Sequence, residues 1–219
     1  MLHYLQNLLG ALDFASLGDA AVRVAAVFLC LTVHETCHGL AAYCLGDPTA
    51  KSMHRLSLNP LRHIDWFGLL MMFTAGFGWA KPVPVNPRYF RRPKQGMAVT
   101  ALAGPLSNLL LALLAVFVGS LIWQYGPASR LWAAVFGFLV MEVAPLSIGL
   151  GLFNLLPIPP LDGSKILAVF LPDRAYLKLM RYERYGIIVL LLLSWFGLTG
   201  NLISGAIMGV YELLINLFF

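Results

Sequence analysis

Residues 30–47 read CLTVHETCHGLAAYCLGD and hold His34, Glu35 and His38 at positions i, i+1 and i+4. On a helix, residues four apart stand one turn apart on the same face. Both imidazoles can therefore aim a ring nitrogen at one ion, and zinc takes such nitrogens in tetrahedral sites. Glu35 follows the first histidine directly, so it is poorly placed as a further ligand to the same ion. It is well placed to take a proton from water as the water attacks a carbonyl. That chemistry is metal-assisted peptide hydrolysis, for which HExxH on a helix is a known signature. The plainer alternative is a packed histidine pair beside a buried glutamate.

Two histidines leave such a site incomplete, because catalytic zinc commonly has three protein ligands. Asp162 stands in NLLPIPPLDGSK, residues 154–165, where Pro157, Pro159 and Pro160 prevent a continuous helix. Non-helical backbone at membrane depth is tolerated only where it is buried in protein or lines a wet cavity. A carboxylate directly after such a break is favoured as the third ligand. The competing readings are Asp162 as a cap on the next helix and Glu142, in an earlier apolar run, as the ligand. Asn154 either points its amide at a substrate carbonyl or satisfies carbonyls of the broken helix.

The elements that must position these groups are apolar. Of 219 residues, 59% are hydrophobic and 11% charged, against roughly 25% charged in soluble domains. The expected fold class is an all-α polytopic membrane protein with four to six transmembrane helices. Spans are predicted over 21–45, 97–123 and 131–156, with one or two more in 186–219. Residues 66–80, WFGLLMMFTAGFGWA, are apolar but too short to cross, and are read as a re-entrant or strand-like element. The whole chain, 1–219, reads as a single domain with its core in 21–170 and a C-terminal transmembrane region in 186–219. The first span is expected to act as its own insertion signal, since no cleavable leader pattern precedes it. His34 lies eleven residues past Arg23, about 16 Å along a helix. It would sit inside the hydrocarbon layer, where ionisable groups are costly and usually functional.

The formal net charge is +5. Eight Lys and Arg residues fall in 46–97, five in 163–185, and only Arg130 in 124–130. The positive-inside rule puts both basic loops in the cytoplasm and the N-terminus outside. No basic-aromatic recognition motif accompanies the charge, which argues against nucleic acid as a partner. Cys30, Cys37 and Cys44 are spaced by seven on one helix. Such a set is no disulfide framework and reads as packing.

HETCHGLAA resembles the HExxHxxxA signature of the site-2 proteases, which are intramembrane zinc metalloproteases. NLLPIPPLDG resembles their second signature, NxxPxPxLDG. Between them, LGDPTAKSMHRLSLNPLRHID, GWAKPVPVNP and ALAGPLSN look like the short prokaryotic group without PDZ or CBS domains. The resemblance covers about residues 24–170. It implies one Zn2+ per chain held by His34, His38 and Asp162, Glu35 as general base, and Asn154 as a substrate-positioning residue. Gly104, in AGPLSN, would permit close helix packing. The activity implied is cleavage of membrane-protein substrates in or near a transmembrane helix, in a prokaryotic cell membrane, with room for a regulatory partner protein. Residues 66–80 could offer a strand edge to the unwound substrate. The rival readings are a membrane metalloprotease with a cytoplasmic site and soluble substrates, and a non-catalytic zinc-binding scaffold or metal transporter. Neither a scaffold nor a transporter needs a base beside a ligand.

Overall fold

Long apolar runs satisfy their own backbone in lipid only by coiling, because no water is there to accept the orphaned N–H and C=O groups. The structure, a computed structural model, describes residues 17–68, 71, 80–172, 174–176, 179, 186 and 198–219. Among them every regular element is helical. Helix α1 spans Leu17–Cys44. A short α2, Thr49–Ser52, follows. Helix α3 spans Pro93–Tyr125 and places a proline in its first turn, where the missing N–H costs nothing. Helix α4, Arg130–Gly137, runs into a π-helical turn, Phe138–Val143, and then into α5, Ala144–Asn154. Helices α6, Asp162–Ala168, and α7, Leu198–Phe218, complete the set.

Three helices are long and apolar enough to cross a membrane: Gly18–Cys44, Pro93–Tyr125 and Arg130–Asn154. They match the three spans predicted from the sequence, each shifted by a few residues. The 28 residues of α1 measure about 42 Å, more than a hydrocarbon layer of roughly 30 Å. Most of the expected re-entrant or strand-like element lies outside the described residues; 66–68 and Met71 are helical. Residues 187–197 also lie outside the described residues, so the helix count in 186–219 rests on α7 alone.

Helix α3 is the centre of the bundle and packs against α1, α5 and α6. Ala26 and Cys30 of α1 meet Ala112, Ala115 and Val116 of α3 and Val143, Ala144 and Ile148 of the third span. Small side chains suit this crossing, because lipid supplies little hydrophobic drive and close backbone approach must hold the helices together. On its other side α3 exposes Leu106, Leu110, Leu114 and Phe117, a lipid-facing stripe at helical spacing. The π-helical turn carries Glu142, whose carboxylate lies 3.9 Å from Arg23. That contact keeps Glu142 near the start of α1, well away from His34, and removes it from the candidate ligands. The cysteine stripe faces three environments. Cys30 is buried in the core, Cys37 half-buried and Cys44 exposed. Packing therefore describes Cys30 alone. Seven-residue spacing turns about 20° per step at about 100° per residue, and the face buried further along α1 is that of His34, His38 and Ala42.

The connection between α1 and α3 closes over the bundle through a strap, residues 81–86, KPVPVN, which has no regular structure. Pro82 and Pro84 lack N–H donors and keep it from joining a helix. The Lys81 N–H donates to His63 O at 2.9 Å. Arg55 Nη2 donates to Lys81 O at 2.7 Å and Pro82 O at 3.3 Å. At the far end the Asn86 N–H donates to Asp47 Oδ2 at 2.6 Å. Asp47 is fully buried, and its other oxygen accepts the Thr49 N–H and hydroxyl.

Candidate metal centre

His34 and His38 sit one turn apart on α1 and are both buried. Asp162 opens α6, directly after the proline-broken segment that ends α5. Gly163 is what lets α6 start so close: a Cβ there would lie 2.2 Å from Leu155 O and 2.4 Å from Leu156 O. Backbone carbonyls cannot move aside as a flexible side chain can. The tight turn delivers the Asp162 carboxylate to α1. Its Oδ2 lies 3.2 Å from His34 Nε2 and 3.0 Å from His38 Nε2. The two Nε2 atoms are 2.9 Å apart.

This triangle is compact enough for all three atoms to hold one cation. His38 Nδ1 lies 2.7 Å from the Thr100 carbonyl, an acceptor that requires the ring proton on Nδ1. Neutral His38 then presents a lone pair at Nε2, aimed at another nitrogen and at a carboxylate oxygen. A cation among the three atoms, or a proton on Nε2 of His34, whose Nδ1 has no partner among the described residues, relieves their repulsion. The edges are also close to the roughly 3.3 Å that separates ligand atoms around a tetrahedral zinc with bonds of about 2.0–2.1 Å. His34, His38 and Asp162 form the one such cluster among the described residues. A backbone carbonyl orienting a ligating imidazole is the usual supporting contact at zinc sites. The donor set, two imidazoles and a carboxylate, suits zinc. Helix α3 passes hard against the rings: a Cβ at Gly104 would fall 2.4 Å from His38 Nε2 and 2.7 Å from His34 Cε1.

The three groups face a cavity of about 390 Å³, lined also by Glu35, Asn154, Lys165 and the strap residues Pro82, Val83 and Val85. Glu35 Oε2 accepts the Val83 N–H at 2.8 Å, so the strap holds the carboxylate in place. Asn154 borders the cavity, while its Nδ2 donates to Leu150 O at 2.9 Å, the contact expected of a broken-helix amide. All five residues singled out from the sequence thus converge here. Four contributors were not foreseen. Lys165, whose Nζ lies 3.9 Å from Asp162 Oδ1, was legible as an i, i+3 partner. The Thr100 carbonyl and Val83 amide are main-chain groups that no residue type announces. Asp47 acts at a distance, by tethering the strap.

A family model described as Peptidase family M50 matches residues 122–196, the part of the chain that carries Asn154 and Asp162. Among curated proteins, "Putative zinc metalloprotease YwhC" of Bacillus subtilis (strain 168) is 42% identical over 173 residues, which are 78% of this chain and 78% of that protein. The protein of the same description named Rip2, from Mycolicibacterium smegmatis (strain ATCC 700084 / mc(2)155), is 27% identical over 78% of this chain and 65% of its own. The similarly described MJ0611 of Methanocaldococcus jannaschii is 38% identical over 46% of this chain and 48% of its own. No solved structure matches the chain significantly. The resemblance read from the two motifs holds, and with it a multi-pass, all-helical architecture: this chain belongs to peptidase family M50, the site-2 protease family.

Proposed function

We propose that the chain is an intramembrane zinc endoprotease that hydrolyses peptide bonds in or near transmembrane helices of membrane-protein substrates. One observation carries the reading. The His34, His38 and Asp162 donor atoms converge in a membrane-length helix bundle with Glu35 on the same cavity wall. His34, His38 and Asp162 would hold one zinc ion, which when bound polarises water and the scissile carbonyl. Thr100 fixes the His38 ring in the tautomer that leaves Nε2 free to ligate. Glu35, steadied by the Val83 amide, takes a proton from water as the water oxygen bonds to the carbonyl carbon. It then returns that proton to the amine nitrogen as the C–N bond breaks. Asn154 and Lys165 stand on the cavity wall where they can orient the substrate backbone.

A helical substrate has its carbonyls bonded within the helix, so it must unwind locally before attack. The cavity opens beside the strap, which presents Pro82, Val83 and Val85 to an extended peptide. The basic loops 46–97 and 163–185 support a cytoplasmic location for this mouth, with the N-terminus outside. The substrate is therefore a membrane protein, with a regulatory protein as a further partner. A zinc-binding scaffold or metal transporter remains the rival, and the Glu35 position disfavours it, because neither role needs a base on the cavity wall.

The test is Glu35→Gln in proteoliposomes, with a substrate found by comparing membrane peptides from cells with active and substituted protein. Zinc content should be retained, and cleavage should fall by about 10²-fold or more, the contribution typical of a general base. Cleavage at the original rate would remove Glu35 from the mechanism.

A further inference from the structure

A second cavity, of about 370 Å³, shares no lining residue with the metal cavity among the described residues. His54, Arg55, Leu61, Arg62, Trp66 and Lys81 line it. We infer that it binds the phosphate headgroup of an anionic phospholipid at the membrane surface.

Charge is the first argument. Arg55, Arg62 and Lys81 are basic side chains that converge on one concavity. Between Asp47 and Glu142 the sequence holds a single carboxylate, Asp65. That carboxylate accepts the Phe67 and Gly68 N–H groups at 3.0 and 2.9 Å. Three like charges in one hollow repel each other until an anion joins them. Preorganisation is the second argument. Arg55 spends Nη2 on the Lys81 and Pro82 carbonyls, and Arg62 spends Nη1 on His54 O. These contacts hold both side chains toward the cavity. Arg55 Nη1 and Arg62 Nη2 are left over by these contacts, and guanidinium nitrogens pair well with phosphate oxygens.

Position is the third argument, and it selects a lipid as the source of the phosphate. Leu61 and Trp66, both on the pocket wall, are 68% and 74% exposed. Trp66 also begins the fifteen-residue uncharged stretch 66–80. An exposed tryptophan with a leucine beside a basic pocket is the pattern of a protein surface at headgroup level. These basic residues line one hollow together with Trp66.

The experiment is native mass spectrometry of the full chain in detergent, titrated with phosphatidylglycerol or with phosphatidylcholine of the same acyl chains. The wild type should retain phosphatidylglycerol at least tenfold more strongly. Arg62→Gln with Lys81→Gln should lose that preference about tenfold or more, while Arg91→Gln with Arg92→Gln, an equal charge loss in the same loop, should keep it. Arg55 is left intact because it also holds the strap. Lys81→Glu alone, at an exposed side chain, provides the same direction if the double variant folds poorly. Equal loss in both double variants would reduce the effect to diffuse charge and overturn the site. So would equal retention of the two lipids, or displacement of phosphatidylglycerol by soluble glycerol phosphate.

Discussion

Replacing Gly104 with alanine adds one methyl group, and the structure predicts that it disables the metal site. The new Cβ would lie 2.4 Å from His38 Nε2, 2.5 Å from His38 Cε1 and 2.7 Å from His34 Cε1. Relaxed contacts between such atoms sit near 3.5–4.0 Å, so the overlap is about 1 Å. The His38 ring cannot swing away freely, because Nδ1 is bonded to the Thr100 carbonyl at 2.7 Å. Thr100 lies one turn before Gly104 on the same helix, so a retreat of α3 would drag that bond with it. Overpacking of this kind costs about 1–3 kcal/mol, and losing the histidine's bond adds about 1 kcal/mol. Zinc ligands must hold their distances to about 0.2 Å, so a shift approaching 1 Å is large on that scale. Zinc affinity should fall about 10–100-fold, as when a supporting contact at a metal site is lost. Competition with a chromophoric chelator on purified protein reads this directly. Gly119→Ala is the control. Its Cβ would lie 2.3 Å from Val140 Cγ2, a similar clash further along α3, so it should lower thermal stability and leave zinc affinity unchanged. Gly104→Ala protein with zinc affinity within about threefold of wild type would refute the close approach of α3 to the histidines.

Gly163→Ala should detach Asp162 from the histidines, because its Cβ would meet the Leu155 and Leu156 carbonyls at 2.2 and 2.4 Å. Zinc stoichiometry should drop while far-ultraviolet circular dichroism still reports a helical protein. Asp47→Ala should release the strap, since the Asn86 and Thr49 donors lose a buried acceptor at a cost of about 1–3 kcal/mol. Zinc should stay bound, proteolytic nicking between residues 80 and 92 should rise, and cleavage of substrate should fall. Intact protease resistance there would show that Asp47 does not hold the strap.

The metal site was readable because each half is a local pattern. HExxH fixes two ligands and a base by helical spacing alone, and PxPxLDG marks a broken helix that ends on a carboxylate. Their meeting across more than one hundred residues is a tertiary fact; the proline break already favoured Asp162, and the likeness of both motifs to one family implied the full ligand set. The three long spans were legible for a simpler reason: lipid demands an uninterrupted apolar helix. Glu142 was harder, since a carboxylate within a span suggests a ligand until Arg23 is seen beside it. The cysteine stripe misled because the buried face of α1 at Cys37 and Cys44 is the one that carries His34, His38 and Ala42. Least legible were the groups that set the site's precision. The Thr100 carbonyl and the Val83 amide belong to the main chain and look alike at every position. Asp47 resembles an ordinary turn aspartate until the strap folds back onto it.

X-ray absorption at the zinc edge, with metal quantified on the same purified sample, tests the centre most directly. The expected result is one zinc per chain, bound by two imidazoles and oxygen ligands, with no sulfur despite Cys37 lying between the histidines in sequence. Asp162→Ala should remove most of the metal, and Glu35→Gln should leave it in place. A sulfur ligand in the first shell, or full zinc occupancy in Asp162→Ala, would contradict the assignment of His34, His38 and Asp162.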